Sequence, residues 1–369
     1  MLNLKQANRL VRGCALLMTL LLSSVSMAAQ DRLQTPSTLT ANAANGLLLD
    51  IAHAGDRLVV VGDQGVILLS DDQGKTWRQV QTPISVLLTA VYFVDAKLGW
   101  AVGHDGVVLH TQDAGETWQL QLDGHQLNQI QVDQYQALVD GAGDPIDNEI
   151  PLEDRELMLD DATVAAEEGP TQPFLDVMFF DDQRGLIVGA YGLVVKTEDA
   201  GKTWHMLSQR VPNPDRFHLN ALAYQEGALF IAAEAGGLFR SADLGETWEA
   251  LESPYEGSFF SLLQYKQQLL ALGLRGHLFA SEDQGASWSG VNVPTGASFA
   301  AGAVSDEAVL LIGSGGAVLF GQSPNDLKVI DESDRRAWSS VVRVQSGWIL
   351  VGEKGIKRLT DAQLAGEKS

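Results

Sequence analysis

One cysteine, Cys14, is all the thiol this sequence contains. That excludes an intrachain disulfide framework and any zinc site built on several thiolates. Cationic side chains are scarce too, with 25 Lys and Arg against 47 Asp and Glu and a net charge of −22. Nucleic-acid binding by phosphate neutralisation needs the opposite balance and is excluded. The longest apolar run, Cys14 to about Leu22, falls short of the ~20 residues that span a bilayer. The seven histidines lack short ligand spacing, and no Asp-x-Asp-x-Asp-Gly loop is present, so neither a metal nor a cofactor is expected. A Gly-x-Ser-x-Gly elbow, the mark of one large class of serine hydrolases, is missing.

What the first 28 residues do have is a basic start (Lys5, Arg9, Arg12), the apolar run, and small residues at Ser26 and Ala28. This reads as a secretory signal peptide cut after Ala28, giving an exported, periplasmic chain with no transmembrane segment after cleavage. Cys14 opens the apolar stretch instead of following it, which argues against its serving as a lipid-modified cysteine. Without its three leader cations, the mature chain carries −25.

Glycine is abundant, 37 residues in all, and it falls in a repeat. The pattern Ser/Thr-x-Asp-x-Gly-x-Thr/Ser-Trp occurs five times, from Ser70, Thr111, Thr197, Ser241 and Ser281. Its fixed positions are Asp72, Gly74, Trp77; Asp113, Gly115, Trp118; Asp199, Gly201, Trp204; Asp243, Gly245, Trp248; and Asp283, Gly285, Trp288. A second pattern, apolar-Gly/Ala-x-x-Gly, starts at Val61, Val102, Val188, Ala232, Leu272, Ile312 and Val351. The steps between starts are 41, 86, 44, 40, 40 and 39 residues.

A period near 40 with several short strands per unit is that of a β-propeller blade. In one unit, Ala90–Val94, Gly99–Gly103, Val107–Thr111 and Trp118–Leu120 read as strands A to D. Gly-x-x-Gly is then the B–C turn, and the Asp-containing box is the structural C–D turn. The fold expected is all-β, a seven-bladed propeller of four-stranded antiparallel blades beginning near 47, 88, 174, 218, 258, 297 and 337. The last blade runs out after strand C, so Leu33–Thr40 is expected to return as its outer strand and close the ring.

The single long step contains an acidic insertion, 121–172, with thirteen acidic residues, one basic residue (Arg155) and one aromatic (Tyr135). Its net charge of −12 and poverty in aromatics predict a solvated loop without its own core, or an arm that docks a partner. B–C and D–A connections open on one face of a propeller, so the insertion shares a face with all seven Gly-x-x-Gly turns. The scaffold does not dictate the variable residues there, which makes them binding candidates: His104, Asp105, Tyr191, Glu234, Arg275, Glu353 and Lys354.

The boxes SDDQGKTW, TQDAGETW, TEDAGKTW, SADLGETW and SEDQGASW resemble the Asp-box, or bacterial neuraminidase, repeat. Phrases such as AVYFVDAKLGWAVGHDGVVLHTQDAGETW resemble the photosystem II stability and assembly factor family over about Leu47 to Leu364, apart from the insertion. The resemblance implies a seven-bladed propeller that binds partner polypeptides during assembly of a membrane complex and does no chemistry. Photosynthetic members are similar to one another in an arginine-lined patch that receives a protein tail. Here the surface is acidic, and Arg184, Arg216 and Arg275 are scattered candidates. The client expected is therefore a protein of a cell-envelope membrane complex, one that favours basic contacts, and the host a non-photosynthetic bacterium. The alternative is a carbohydrate-active or carbohydrate-binding propeller. A sialidase would need an early Arg-Ile-Pro segment, which is absent, and a glycosidase would need two facing carboxylates. No catalytic residue is assigned.

Overall fold

Strand B of every repeat is a run of apolar residues, as in Leu58–Val61 and Leu310–Ile312, and such a run is stable only when buried on both faces. A ring of radial sheets meets that demand, because each sheet is sandwiched between two others. The computed structural model describes residues 31–331 and 335–364; the expected leader lies outside them. Among these residues, seven antiparallel sheets stand around a central channel. Blade 1 is β1 (Leu48–Ala54), β2 (Arg57–Gly62), β3 (Ile67–Ser70) and β4 (Arg78–Val80). Blade 2 follows as β5 (Leu88–Phe93), β6 (Gly99–Gly103), β7 (Val108–Thr111) and β8 (Gln119–Leu122). Blades 3 to 6 repeat the plan in β9–β12 (174–206), β13–β16 (219–250), β17–β20 (259–290) and β21–β24 (299–331). Blade 7 has β25 (Trp338–Val344), β26 (Gly347–Gly352) and β27 (Gly355–Thr360).

The hydrophobic core is divided into layers between blades. One joins Val59, Leu69 and Leu88 to Val91, Leu109 and Trp118 across blades 1 and 2, and similar layers follow round the ring. Each first strand packs against the next, and β25 against β1 completes the circle. All seven first strands carry a register shift after their opening residue. Near these bulges, side chains link one blade to the next. Asp50 accepts the Val91 N–H (2.8 Å), Asp176 accepts the Leu222 N–H (2.7 Å), and Asn220 donates to the Phe259 carbonyl (2.8 Å).

The Asp boxes are closed hydrogen-bond circuits. In the fifth, the Ser281 hydroxyl donates to Asp283 (2.8 Å) and accepts the Gly285 N–H (2.8 Å), while the Ser287 N–H and hydroxyl both donate to the same carboxylate. The other four boxes repeat these bonds. Donation from Thr76 holds the Asp72 carboxyl down at about 2. Ser281→Ala strands a buried glycine N–H and is expected to lower unfolding stability by about 1–2 kcal/mol, measured by urea denaturation.

Two expectations about the ring are corrected. Blade 7 is three-stranded and ends in a short helix, α3 (Asp361–Leu364), whose Leu364 is buried between blades 6 and 7. Leu33–Thr40 does not close it, and lies instead along the outer edge of blade 1. There the Ser37 N–H donates to Thr82 O (3.1 Å), the Thr82 N–H donates to Ser37 Oγ (2.9 Å), and the Gln79 amide bonds both Thr38 and Thr40. Leu33 buries into the layer between blades 1 and 2, which anchors the segment on that side of the ring. The seam between blades 7 and 1 is held by sheet packing, with His53 Nε2 2.8 Å from the Arg343 carbonyl.

Candidate functional site

Six of the seven B–C turns share one backbone path. Their second residue takes the left-handed conformation (Gln64, Asp105, Tyr191, Ala235, Arg275 and Gly315, φ between 50° and 65°), followed by a glycine that does the same. Blade 7 makes the turn with two residues, Glu353 and Lys354. In all seven, the N–H of the first turn residue donates to the carbonyl of the residue that precedes the blade's first strand. Examples are Asp63 to Leu47 (3.0 Å), His104 to Leu87 (2.9 Å) and Glu353 to Ala337 (3.0 Å). These staples use backbone alone, so the turn side chains are free to vary.

The insertion is not the coreless loop its composition predicts. It folds as a helical hairpin, α1 (Gly124–Val139) and α2 (Leu152–Glu168). Asp123 caps α1 by accepting the His125 and Gln126 N–H groups, and Gln126 returns a bond to the Asp123 N–H. Glu153 and Asp154 occupy the first turn of α2, where the helix dipole favours negative charge. Tyr135, Leu138 and Ala162, with Val132, Met158 and Leu159, form a small core between the helices. The Asn128 amide caps the end of α2 through the Ala165 and Gly169 carbonyls.

The hairpin is bolted to blade 3. Gly124 packs onto Gly106 of the blade 2 turn so closely that a Cβ on Gly106 would stand 2.8 Å from the Gly124 Cα. The Gln134 side chain pairs with both backbone groups of Met206 in β12, extending the sheet edge (2.7 and 2.9 Å). Asp147, in the link between the helices, is buried and grips Arg210 through two bonds (2.9 and 3.0 Å). Glu246 reaches Arg210 at 2.6 Å and also bonds the buried Lys196. Burial alone would lower the Arg210 guanidinium; Asp147, with Asp144 and Glu246 beyond it, holds it above its ordinary value.

Between α2, the Tyr191 turn and the 208–216 loop lies a cleft of about 540 Å³. Tyr135 and Met158 line its hairpin side, and Val211, Pro212 and Pro214 the blade side. Burial pushes the Tyr135 phenol up to about 12. Of the residues singled out from sequence, Tyr191 and Arg216 meet here. Tyr191 is 60% exposed, and Arg216 forms an ion pair with Asp161 of α2 at 2.6 Å. Glu234 lies beside them, bonding the His218 ring (2.8 Å), against which Tyr191 rests at 5.1 Å. Asp105 turns inward onto Arg32 (2.9 Å), and His104 is half-buried. Arg275, Glu353 and Lys354 are exposed on other blades. Arg184 sits in the β9–β10 hairpin, on the opposite face, paired with Asp181 (2.8 Å). Sequence reading missed Asp154, Leu157 and Asp161, which line the cleft only because α2 is a helix.

Among the described residues, no group of three or more His, Cys, Asp or Glu is placed to hold a metal, and no helix is long and apolar enough to cross a membrane. The ring, its five boxes and its stapled turns define an Asp-box seven-bladed propeller. A sequence model described as "Photosynthesis system II assembly factor YCF48" matches residues 27–134 and 164–297. The chain belongs to that family, and the match is interrupted across the middle of the hairpin. Two relatives are both named "Photosystem II assembly lipoprotein Ycf48". That of Synechococcus sp. (strain CC9902) is 32% identical over 77 residues, and that of a Prochlorococcus marinus strain is 32% identical over 82. These matches cover 21% and 22% of this chain and 23% and 21% of the relatives' own lengths. A solved structure, "YCF48 bound to D1 peptide", superposes with a TM-score of 0.60 at 17% identity, covering 88% of this chain and 96% of that one. At that identity the likeness is one of fold.

Proposed function

We propose that this chain is an exported, non-catalytic assembly factor that binds a polypeptide of a membrane complex in the cell envelope. Binding uses the face that carries the B–C turns and the helical hairpin. The observation that carries this reading is the division of labour between faces. The Asp-box carboxylates are consumed by their own turns on one side, while the other presents variable, backbone-stapled turns beside an anchored cleft. Family membership, and the peptide bound to the structural neighbour, support the same reading. The names of the relatives support export. A glycosidase is not favoured: Asp50 and Asp176, carboxylates on the first strands of their blades, each accept two backbone N–H groups, which fixes them as structural links.

The start and end of the insertion lie side by side, since a Cβ on Gly124 would stand 2.5 Å from the Pro170 Cβ. Asp123–Pro170 can therefore be replaced by a short glycine linker. Crosslinking capture from the native envelope is expected to recover one membrane complex with the full mature chain and to lose it with the deleted form. Recovery of the same complex by both forms would assign binding to the ring alone. Glycan hydrolysis by the purified chain would overturn the reading.

A further inference from the structure

The cleft has two apolar walls open to solvent: Leu157 of α2 is 61% exposed and Tyr191 of the blade 3 turn is 60% exposed. Singly exposed apolar side chains are ordinary, but these two line the same cleft from opposite sides. Tyr191 is the more telling, because the left-handed position it holds (φ 59°) is set by the turn and is filled elsewhere by Gln64, Asp105, Ala235, Arg275 and Gly315, so an aromatic ring is not something the turn itself requires. Here that position holds an aromatic ring that lines the cleft and is 60% exposed.

The charge of the site selects what would cover that ring. Asp154 and Asp161 stand along α2 at the rim, on an insertion whose net charge is −12. Among the described residues, the single cation lining the cleft, Arg216, is neutralised by Asp161. The cleft is held open by the Arg210–Asp147 anchor on one side and by a loop stiffened by two prolines on the other. Its volume falls in the range that encloses a few side chains and excludes a folded domain.

We infer that this cleft is a docking groove for an extended, basic polypeptide segment in which a lysine or arginine neighbours an aromatic or aliphatic residue. The apolar side chain packs between Leu157 and Tyr191 while the cation meets Asp154. This rests on the polypeptide-binding reading above and gives it a location and a ligand chemistry.

The test is selection of a displayed random decapeptide library on the intact mature chain, with anisotropy titration of the enriched peptides. The comparison protein is a double variant, Asp154→Asn with Leu157→Ser. Both side chains are exposed, and a melting temperature equal to that of the wild type confirms that the variant is folded. Enrichment of basic-apolar peptides is expected, with at least tenfold weaker binding to the variant and several-fold weaker binding when salt is raised tenfold. Equal binding to both proteins would overturn the cleft assignment and leave the polypeptide-binding reading standing. Enrichment of acidic peptides that depends on Leu157 would overturn the ligand chemistry. No enrichment at all would overturn both.

Discussion

Replacing Asp50 and Asp176 together by asparagine is expected to make the protein more stable at pH 8, although it removes two half-buried acids and keeps their shapes. Both carboxyls lie on the first strands of their blades, where they bond the next blade. Burial pushes Asp50 up to about 6 and Asp176 to about 7, the latter helped by the charge on Asp50. An acid raised in the folded state favours folding fully below its ordinary range, and that contribution is lost as pH climbs through the raised value. At about 1.4 kcal/mol for each tenfold displacement, the two displacements together correspond to on the order of 7 kcal/mol, an upper bound because both carboxyls keep some contact with solvent. The single asparagine oxygen still accepts the inter-blade Val91 or Leu222 N–H, so the links between blades survive without the charge. Its NH2 faces the Ile51 or Val177 N–H that the other carboxylate oxygen accepted, and part of the gain is given back. Denaturant unfolding at pH 5 and pH 8 should show the wild type losing several kcal/mol relative to the double variant between the two. The Asp boxes work in the opposite sense. Their depressed carboxylates stabilise above their ordinary range and lose that contribution as pH falls, toward about 2 for Asp72. A double variant whose stability falls in parallel with the wild type above pH 5 would refute the assignment.

Asp147→Ala is expected to detach the hairpin while leaving the ring folded. Asp147 and Arg210 expose only 2% and 7% of their side chains, and removing one partner leaves an uncompensated buried charge. Such losses run to about 3–5 kcal/mol; Asp144 and Glu246 remain beside Arg210, which places this one near 3. The insertion packs as a satellite with its own small core, so the loss falls on local undocking. About 3 kcal/mol corresponds to roughly a hundredfold increase in the open population. Limited proteolysis of residues 140–150 should accelerate by that order, with little change in the melting temperature of the blades. Exchanging both residues for methionine should restore much of the protection, because it removes the stranded charge along with the bond. Cleavage at the wild-type rate in Asp147→Ala would sink the argument.

Why the blades were legible and the insertion was not follows from where information resides in this chain. The repeat fixes glycine at turns and apolar runs at strand B, and both are local demands that recur every 40 residues or so. Gly99–Gly103 was therefore readable to the residue. The hairpin depends on long-range partners instead. Its helices are about as apolar as the chain at large but do not gather those residues into a clean one-sided stripe. Much of their anchoring comes from Arg210, Met206 and Gly106, which lie outside the insertion. The capping pair Asp123 and Gln126, and Pro151 ahead of Glu153 and Asp154, were the local signals for helix, and the acidic composition obscured them. The fate of Leu33–Thr40 turned on a competition that sequence cannot weigh, between the edge of blade 1 with Gln79 and Thr82 and the edge of blade 7. Arg184 was readable as exposed; its face depended on assigning it to an A–B turn. Tyr191 and Arg216 were singled out separately, and only the hairpin brings them to one cleft.

The backbone staples have a consequence for which parts of this molecule can be altered. Each turn is held by an N–H and a carbonyl that every residue but proline supplies at the donor position, so the two variable residues can change while that bond and the glycine after them are kept. If the turns bind a partner as proposed, the residues that recognise it are therefore separable from those that build the ring, and its preference can be changed at the turn tips while the blades beneath stay as they are.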